Sequence, residues 1–208
     1  MSQKSPKNSK EWLHRHLNDP FVQQSIKDGY RSRAAYKILQ LHEKYKIFKP
    51  GQRVVDLGAA PGGWSQVASE LVGEKGQVIA LDRLEMKPIS NVLFIQGDFT
   101  EVEVEQSLIS SLNSQKVDLV LSDMAPNMSG EPSVDQPRTI YLCELALDFA
   151  TKWMKPNGTL IMKTFHGKDF ESILKALRLQ FQTVRVEKPE ASRSNSKEVY
   201  FLASRFKL

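Results

Sequence analysis

Apolar positions change period along the chain, and the changes outline its elements. Residues 11–50 carry helical spacing, clearest in "SRAAYKILQLHEKY", where Ala35, Ile38, Leu39 and His42 recur every three or four positions behind Ser32, a candidate N-cap. "KPG" at 49–51 breaks that pattern. Five short apolar runs follow, "RVVDLG", "QVIALD", "VLFIQGD", "DLVLSDM" and "TLIMKTF", with helical candidates after each. Runs without polar alternation, interleaved with helices, predict a parallel sheet covered on both faces. The last two runs, "FQTVRVEKP" and "KEVYFLASRF", are separated only by a short Ser-rich loop. That leaves no room for a helical crossover and predicts an antiparallel hairpin at the sheet edge. The pattern therefore predicts an α/β fold with a doubly wound, mostly parallel seven-stranded sheet and an antiparallel edge strand. No internal repeat divides the chain. It reads as a single domain, with a basic flexible tail at 1–10, a helical extension at 11–50 and a core at 51–208.

Composition narrows the class. The 208 residues are 40% hydrophobic and 25% charged, which suits one globular core. No apolar run approaches the ~18 residues of a membrane span, and "MSQKSPKNSK" lacks the apolar stretch of a secretory signal, so a cytoplasmic protein without membrane partners is expected. Cys143 is the only cysteine, which excludes an internal disulfide and a multi-cysteine zinc site; it lies in the helical run "IYLCELALDFA" and reads as core. No metal is expected. The net charge of +5 is unevenly spread: residues 1–50 carry +7, residues 51–182 carry −5 and residues 183–208 carry +3. If the two basic ends meet in the fold, they form a face suited to a polyanion, with nucleic acid the first candidate.

The candidate chemistry begins at "VVDLGAAPGGWSQ". A dinucleotide-binding turn needs G-x-G-x-x-G, and Gly58-Ala-Ala-Pro-Gly62-Gly63 does not have that spacing. Asp56, at the end of the first strand, would also repel a phosphate. A cationic ligand without phosphate fits better, and S-adenosylmethionine has that character. Asp82 ends the second strand and suits a ribose diol, Asp98 ends the third and suits an adenine amino group, and Trp64 offers an apolar surface near the pocket mouth. Ligands of open α/β sheets bind beyond the strand carboxyl ends, so these groups should converge. The fourth strand ends in "SDMAPNMSG" and the fifth in "MKTFHG", which brings Asp123 and Lys163 to the same edge. Glu198 opens the last strand, and Lys37 lies in the N-terminal helix.

"RSRAAYKI", "VVDLGAAPGGWSQ", "QGDF", "SDMAPNMSG" and "NSKEVY" together resemble the FtsJ/RrmJ family of RNA ribose 2′-O-methyltransferases, from about Trp12 to the last strand. The resemblance implies the methyltransferase variant of the doubly wound, Rossmann-like sheet and a catalytic tetrad of Lys37, Asp123, Lys163 and Glu198. It implies S-adenosylmethionine bound at Gly62, Trp64, Asp82, Asp98 and Asp123, with Gly63 and Asp56 completing the turn. The chain departs from bacterial relatives at Ala35-Tyr36 and at His166, where an aromatic pair and a Gln are expected. His166 reads as a polar lip of an RNA groove rather than a catalytic base.

In the implied reaction a ribose 2′-oxygen displaces the sulfonium methyl in line. Alignment alone can supply roughly 7–11 kcal/mol of the barrier. Burial and the second ammonium of Lys37 favour a neutral Lys163 able to act as general base, whereas Asp123 and Glu198 favour its charged form, so orientation or oxyanion stabilisation by Lys163 stays open. Arg31, Arg33 and Arg193 are candidate phosphate contacts, and Tyr200 a hydrogen-bonding or stacking partner for RNA. Within the family, a compact chain points to a uridine of large-subunit (23S) ribosomal RNA, methylated on the assembled subunit by a monomer. The alternatives are a transfer-RNA 2′-O-methyltransferase, a methyltransferase for a small molecule or protein, and a non-catalytic RNA-binding module in ribosome assembly. The missing glycine spacing argues against an NAD-dependent oxidoreductase.

Overall fold

The computed structural model describes residues 17–167 and 169–207. The tail at 1–10 and the first part of the extension lie outside them. The extension contributes α1 (Pro20–Asp28) and α2 (Ala35–Tyr45); the core then runs β1 (Arg53–Leu57), α3 (Gly63–Val72), β2 (Gln77–Asp82), β3 (Val92–Gln96), α4 (Val102–Ser111), β4 (Val117–Ser122), α5 (Pro132–Trp153), β5 (Met154–Phe165), α6 (Phe170–Gln180), β6 (Phe181–Glu187) and β7 (Glu198–Phe206). The seven strands lie in the order β3-β2-β1-β4-β5-β7-β6. Strands β1 to β5 are parallel, and β7 runs antiparallel to both neighbours. The antiparallel pairing thus lies at one end of the sheet, as expected. The reversed strand itself is inserted between β5 and the outermost strand, β6.

Successive strand residues feed two apolar layers. Leu57, Ile79, Val120, Leu160 and Phe201 pack under α4, α5 and α6, with Leu108, Phe149 and Leu177 among their partners. Val54, Val78, Leu121, Ile161 and Tyr200 face the other way, against Ile38 and Leu41 of α2 and Trp64 and Val67 of α3. Alternating side chains that are apolar on both faces are what a doubly covered sheet requires. Cys143 is 3% exposed within the first layer.

Two expectations about elements need correction. Ser32 does not cap α2: the helix starts at Ala35 without a side-chain cap, and the Ser32 hydroxyl has no partner while its carbonyl accepts from Ala35 N at 3.2 Å. The face of α2 that is fully buried is Ala35, Ile38 and Leu41, with Leu39 and His42 only half-buried, because α2 rolls its i, i+3, i+6 line onto α3. Residues 83–91 between β2 and β3 form no helix. They hold Pro88 in a nine-residue stretch, and Arg31 pins it by donating to the carbonyls of Lys87 (2.5 Å) and Pro88 (2.6 Å).

Candidate active site

Beyond the carboxyl ends of β1, β2 and β4 lies a cleft of about 580 Å³. It is lined by Asp82, Asp98, Asp123 and Lys163, together with Arg138 and Tyr141 from α5. Its size and mixed walls suit one small-molecule ligand. The Asp82 carboxylate accepts from Ala60 N (2.9 Å) and Leu84 N (2.8 Å), which fixes its direction and leaves lone pairs free for a ligand's hydroxyls. Asp98 accepts from the amide and hydroxyl of Thr100 at 3.0 and 2.7 Å, with Arg83 3.6 Å away. Burial pushes its pKa up, but those hydrogen bonds and the guanidinium prevail and hold it below the usual carboxylate value. Gly58 forms the base of the cleft at φ +78°, where a Cβ would stand 2.8 Å from Met124 N. Only glycine allows the loop after β4 to close over the end of β1 there.

Asp123 and Lys163 also belong to a second cluster. The ammonium of Lys163, 9% exposed, lies 2.9 Å from Asp123 Oδ1 and donates to the Asp123 carbonyl at 2.5 Å. The Lys37 ammonium pairs with Glu198 Oε1 at 2.6 Å and donates to the Tyr200 hydroxyl at 3.1 Å. Tyr200 sits between the two pairs, with its hydroxyl 2.7 Å from Glu198 Oε1 and 3.3 Å from Asp123 Oδ1. Strand reversal makes this possible: in the β5–β7 register Lys163 stands opposite Tyr200 and Phe165 opposite Glu198, so the start of β7 meets the end of β5. Burial pushes the Glu198 pKa up, but the Lys37 ammonium outweighs it and the net shift is downward. Burial, with the two carboxylates, drives the Tyr200 phenol well above its ordinary value, so it remains a proton donor at neutral pH.

Several candidate residues lie elsewhere. Asp56 is fully buried beneath the cleft, accepting from the Ser65 hydroxyl at 2.6 Å, and does not line the cleft; burial and the carboxylates of Asp123 and Asp82 push its pKa up to about 7, against the hydrogen bonding of Ser65. Gly62, Gly63 and Trp64 are also absent from the lining. Gly62 packs on Met86 and Ile89, and Gly63 on Ser32. Trp64, 2% exposed, is not at the mouth: its indole donates to Ala34 O at 2.8 Å and its ring packs on Tyr200 at 5.6 Å. Its place at the start of α3 turns it inward, toward α2.

Tyr200 is likewise 0% exposed, which rules out stacking on RNA. Arg31 is committed to the 83–91 loop, and Arg33 to Asp19 and the Ala191 carbonyl. Arg193 is half-exposed, 3.9 Å from Asp19, and lines a small pocket with Arg33, Lys37, Asn195 and Glu198. There the basic N-terminal and C-terminal segments meet. His166 is exposed at the end of β5, its ring against Phe170 at 4.6 Å. Sequence reasoning missed Arg138 and Tyr141. They stand one helical turn apart on α5, and no periodicity marks which side of a 22-residue helix faces a cleft. Among the described residues, no group of three His, Cys, Asp or Glu is placed to hold a metal, and no helix is long and apolar enough to cross a membrane.

A family profile of FtsJ-like methyltransferases matches residues 30–206. The chain is 55% identical over 197 residues to the ribosomal RNA large subunit methyltransferase E of Pseudomonas fluorescens, covering 95% of this chain and 94% of that one. It is 54% identical to the protein of that name from Acinetobacter baylyi, covering 97% and 93%. Among solved structures it is similar to a Plasmodium falciparum protein assigned as a ribosomal RNA methyltransferase, with TM-score 0.76, 32% identity and coverage of 85% and 98%. Aeropyrum pernix fibrillarin, solved with natively bound S-adenosyl-L-methionine, shares the fold alone, with TM-score 0.57, 17% identity and coverage of 84% and 75%. Matched by the family profile over residues 30–206 and by these relatives over nearly its whole length, the chain belongs to the FtsJ-like methyltransferase family.

Proposed function

We propose that this protein transfers a methyl group from S-adenosylmethionine to the 2′-oxygen of a uridine ribose in 23S ribosomal RNA, acting as a monomer on the assembled large subunit. The observation that carries the reading is that Asp123 and Lys163 belong both to the strand-end cleft and to the lysine–carboxylate cluster, so donor and acceptor sites share a wall. The names and high identity of the large-subunit methyltransferases support the substrate class. S-adenosylmethionine supplies an electrophilic methyl group, and the donor set suits it: Asp82 would accept from its ribose hydroxyls and Asp98 from its adenine amine. Asp56 would act from beneath the cleft, through Ser65 at the start of α3, and Gly62, Gly63 and Trp64 would hold that helix start in place.

On the acceptor side, Lys163 would address the attacking 2′-oxygen. It lies against Asp123 in the free protein, and catalysis as a base requires it to present an unprotonated amine to the 2′-oxygen. Lys37 and Glu198, locked to each other, would position the ribose from the opposite side, and Tyr200 would keep the two pairs in register. Arg193 and Arg33 would draw the flanking phosphates to the pocket beside Lys37. The test is transfer of labelled methyl to large ribosomal subunits from a strain lacking the enzyme, with mapping of the alkali-resistant linkage. One labelled 2′-O-methyluridine is the expected result. Label on a base, on transfer RNA in preference to subunits, or on no RNA overturns the reading.

A further inference from the structure

The opposite end of the sheet holds a second, larger cleft of about 800 Å³, between the α2–β1 connection, the first half of β5 and the ends of β6 and β7. Thr159 lines it and lies four residues before Lys163 on β5, so its nearest wall is about 13 Å from the cluster at the strand rise of ~3.3 Å per residue. Among the described residues, its walls carry Lys46, Lys49, Lys155, Arg185 and Arg205 against one carboxylate, Asp118. Asp118 is already held by Lys155 at 2.8 and 2.9 Å and by the Arg53 amide at 2.8 Å. Among the described residues, Lys46, Lys49 and Arg205 make no ion pair. The cleft therefore presents surplus positive charge from both basic ends of the chain.

The backbone decides how two of these cations can be replaced. Lys46 (φ 51°) and Arg205 (φ 60°) both sit in the left-handed region. Glycine enters that region freely, as Gly51 does in the same wall at φ 81°, whereas side-chain-bearing residues are disfavoured there. Lys46 takes this conformation as the C-cap of α2, its amide donating to the His42 carbonyl at 2.7 Å, so glycine can replace it there without strain. Apolar side chains share the wall with the cations, but it is the charge that is unmatched, so the ligand class that fits is a run of phosphates. We propose that this cleft is an exosite for the phosphodiester backbone of a second RNA segment, remote from the methylated nucleotide. This rests on the reading of the substrate as a long, folded RNA.

The test is the variant Lys46→Gly/Lys49→Gln/Arg205→Gly, whose two glycines suit the backbone they enter, assayed beside the wild type on large ribosomal subunits and on protein-free large-subunit RNA. The exosite requires KM for subunits to rise about tenfold or more with kcat unchanged. It also requires the slope of log affinity against log salt on free RNA to fall by about 2–3, since each phosphate left without its cation takes roughly 0.7–0.9 from the slope. S-adenosylmethionine affinity should not move. An unchanged KM and salt slope overturns the exosite. So does a raised KM on subunits with unaltered binding of protein-free RNA, which assigns the cleft to a ribosomal protein. If the triple variant melts at lower temperature, the single change Lys49→Glu should lower the slope by about 0.7–0.9 and still raise KM for subunits with kcat unchanged. Failure of the wild type to methylate subunits overturns the proposed function alone, and the salt slope on free RNA still decides the cleft.

Discussion

Lys163 carries the sharpest chemical prediction. It is 9% exposed, sits in the donor cleft and is held twice by Asp123. Lys163→Arg keeps the charge but neither sheds a proton readily nor fits the same point, so methyl transfer should fall below detection while calorimetry shows S-adenosylmethionine binding within about threefold of wild type. Substantial turnover would leave Lys163 only a charge to contribute. Asp56 makes a separate prediction about pH. Its pKa rises from 3.8 to about 7 in the folded protein, so between those values the folded state binds a proton that the unfolded state has lost. Stability from this group is therefore greatest at acid pH and declines as pH rises through that window, by about 4 kcal/mol. Asp56→Asn should remove the decline, so denaturant unfolding at pH 4.5 and pH 8 should show the variant gaining on wild type at the higher pH. Parallel curves for the two proteins would mean that Asp56 is ionised in the fold.

At the scale of elements, the acids ending β2 and β3 were legible because a strand shows its carboxyl end as an apolar run closed by a polar residue. Asp82 and Asp98 stand in the cleft where that reasoning puts them. Trp64 and Tyr200 were misplaced because composition says nothing of which partner an element meets: α3 and β7 turn both rings toward α2, and they pack on each other. The loops were the least legible, since Arg31 and Arg33 are held by carbonyls and a carboxylate far away in sequence. The β1–α3 turn yields a prediction of its own. Gly58→Ala places a Cβ against the backbone of Met124 and forces φ +78° on alanine, so it should cost about 2–4 kcal/mol of unfolding free energy and weaken cofactor binding and transfer together, since Asp123 precedes Met124. Gly29→Ala, at φ +76° with nothing within 4 Å, should cost only about 1 kcal/mol and leave binding unchanged. Equal effects of the two substitutions would show that the close approach to β4 does not matter.

For the whole molecule, the uneven charge along the sequence left open whether the basic ends meet; the fold brings them together at Arg33 and Arg193 beside Lys37. It gave no sign of a second meeting at the other end of the sheet, because "KPG" at 49–51 read only as a break while the fold carries that connection to Arg205. The cluster at the centre differs from both basic surfaces. Lys37 with Glu198 and Lys163 with Asp123 make four formal charges that sum to zero, joined through a buried hydroxyl with a single proton to give. A neutral quartet does not attract a polyanion from solution; the outlying arginines and lysines do that. Attraction and reaction are thus assigned to different parts of the protein, and ionic strength should separate them. As salt rises from 50 to 200 mM, KM for the RNA substrate should climb steeply while the rate at saturating RNA changes by less than about twofold, because screening reaches exposed cations far more than enclosed pairs. Proportional loss of both would place the quartet itself within reach of solvent ions.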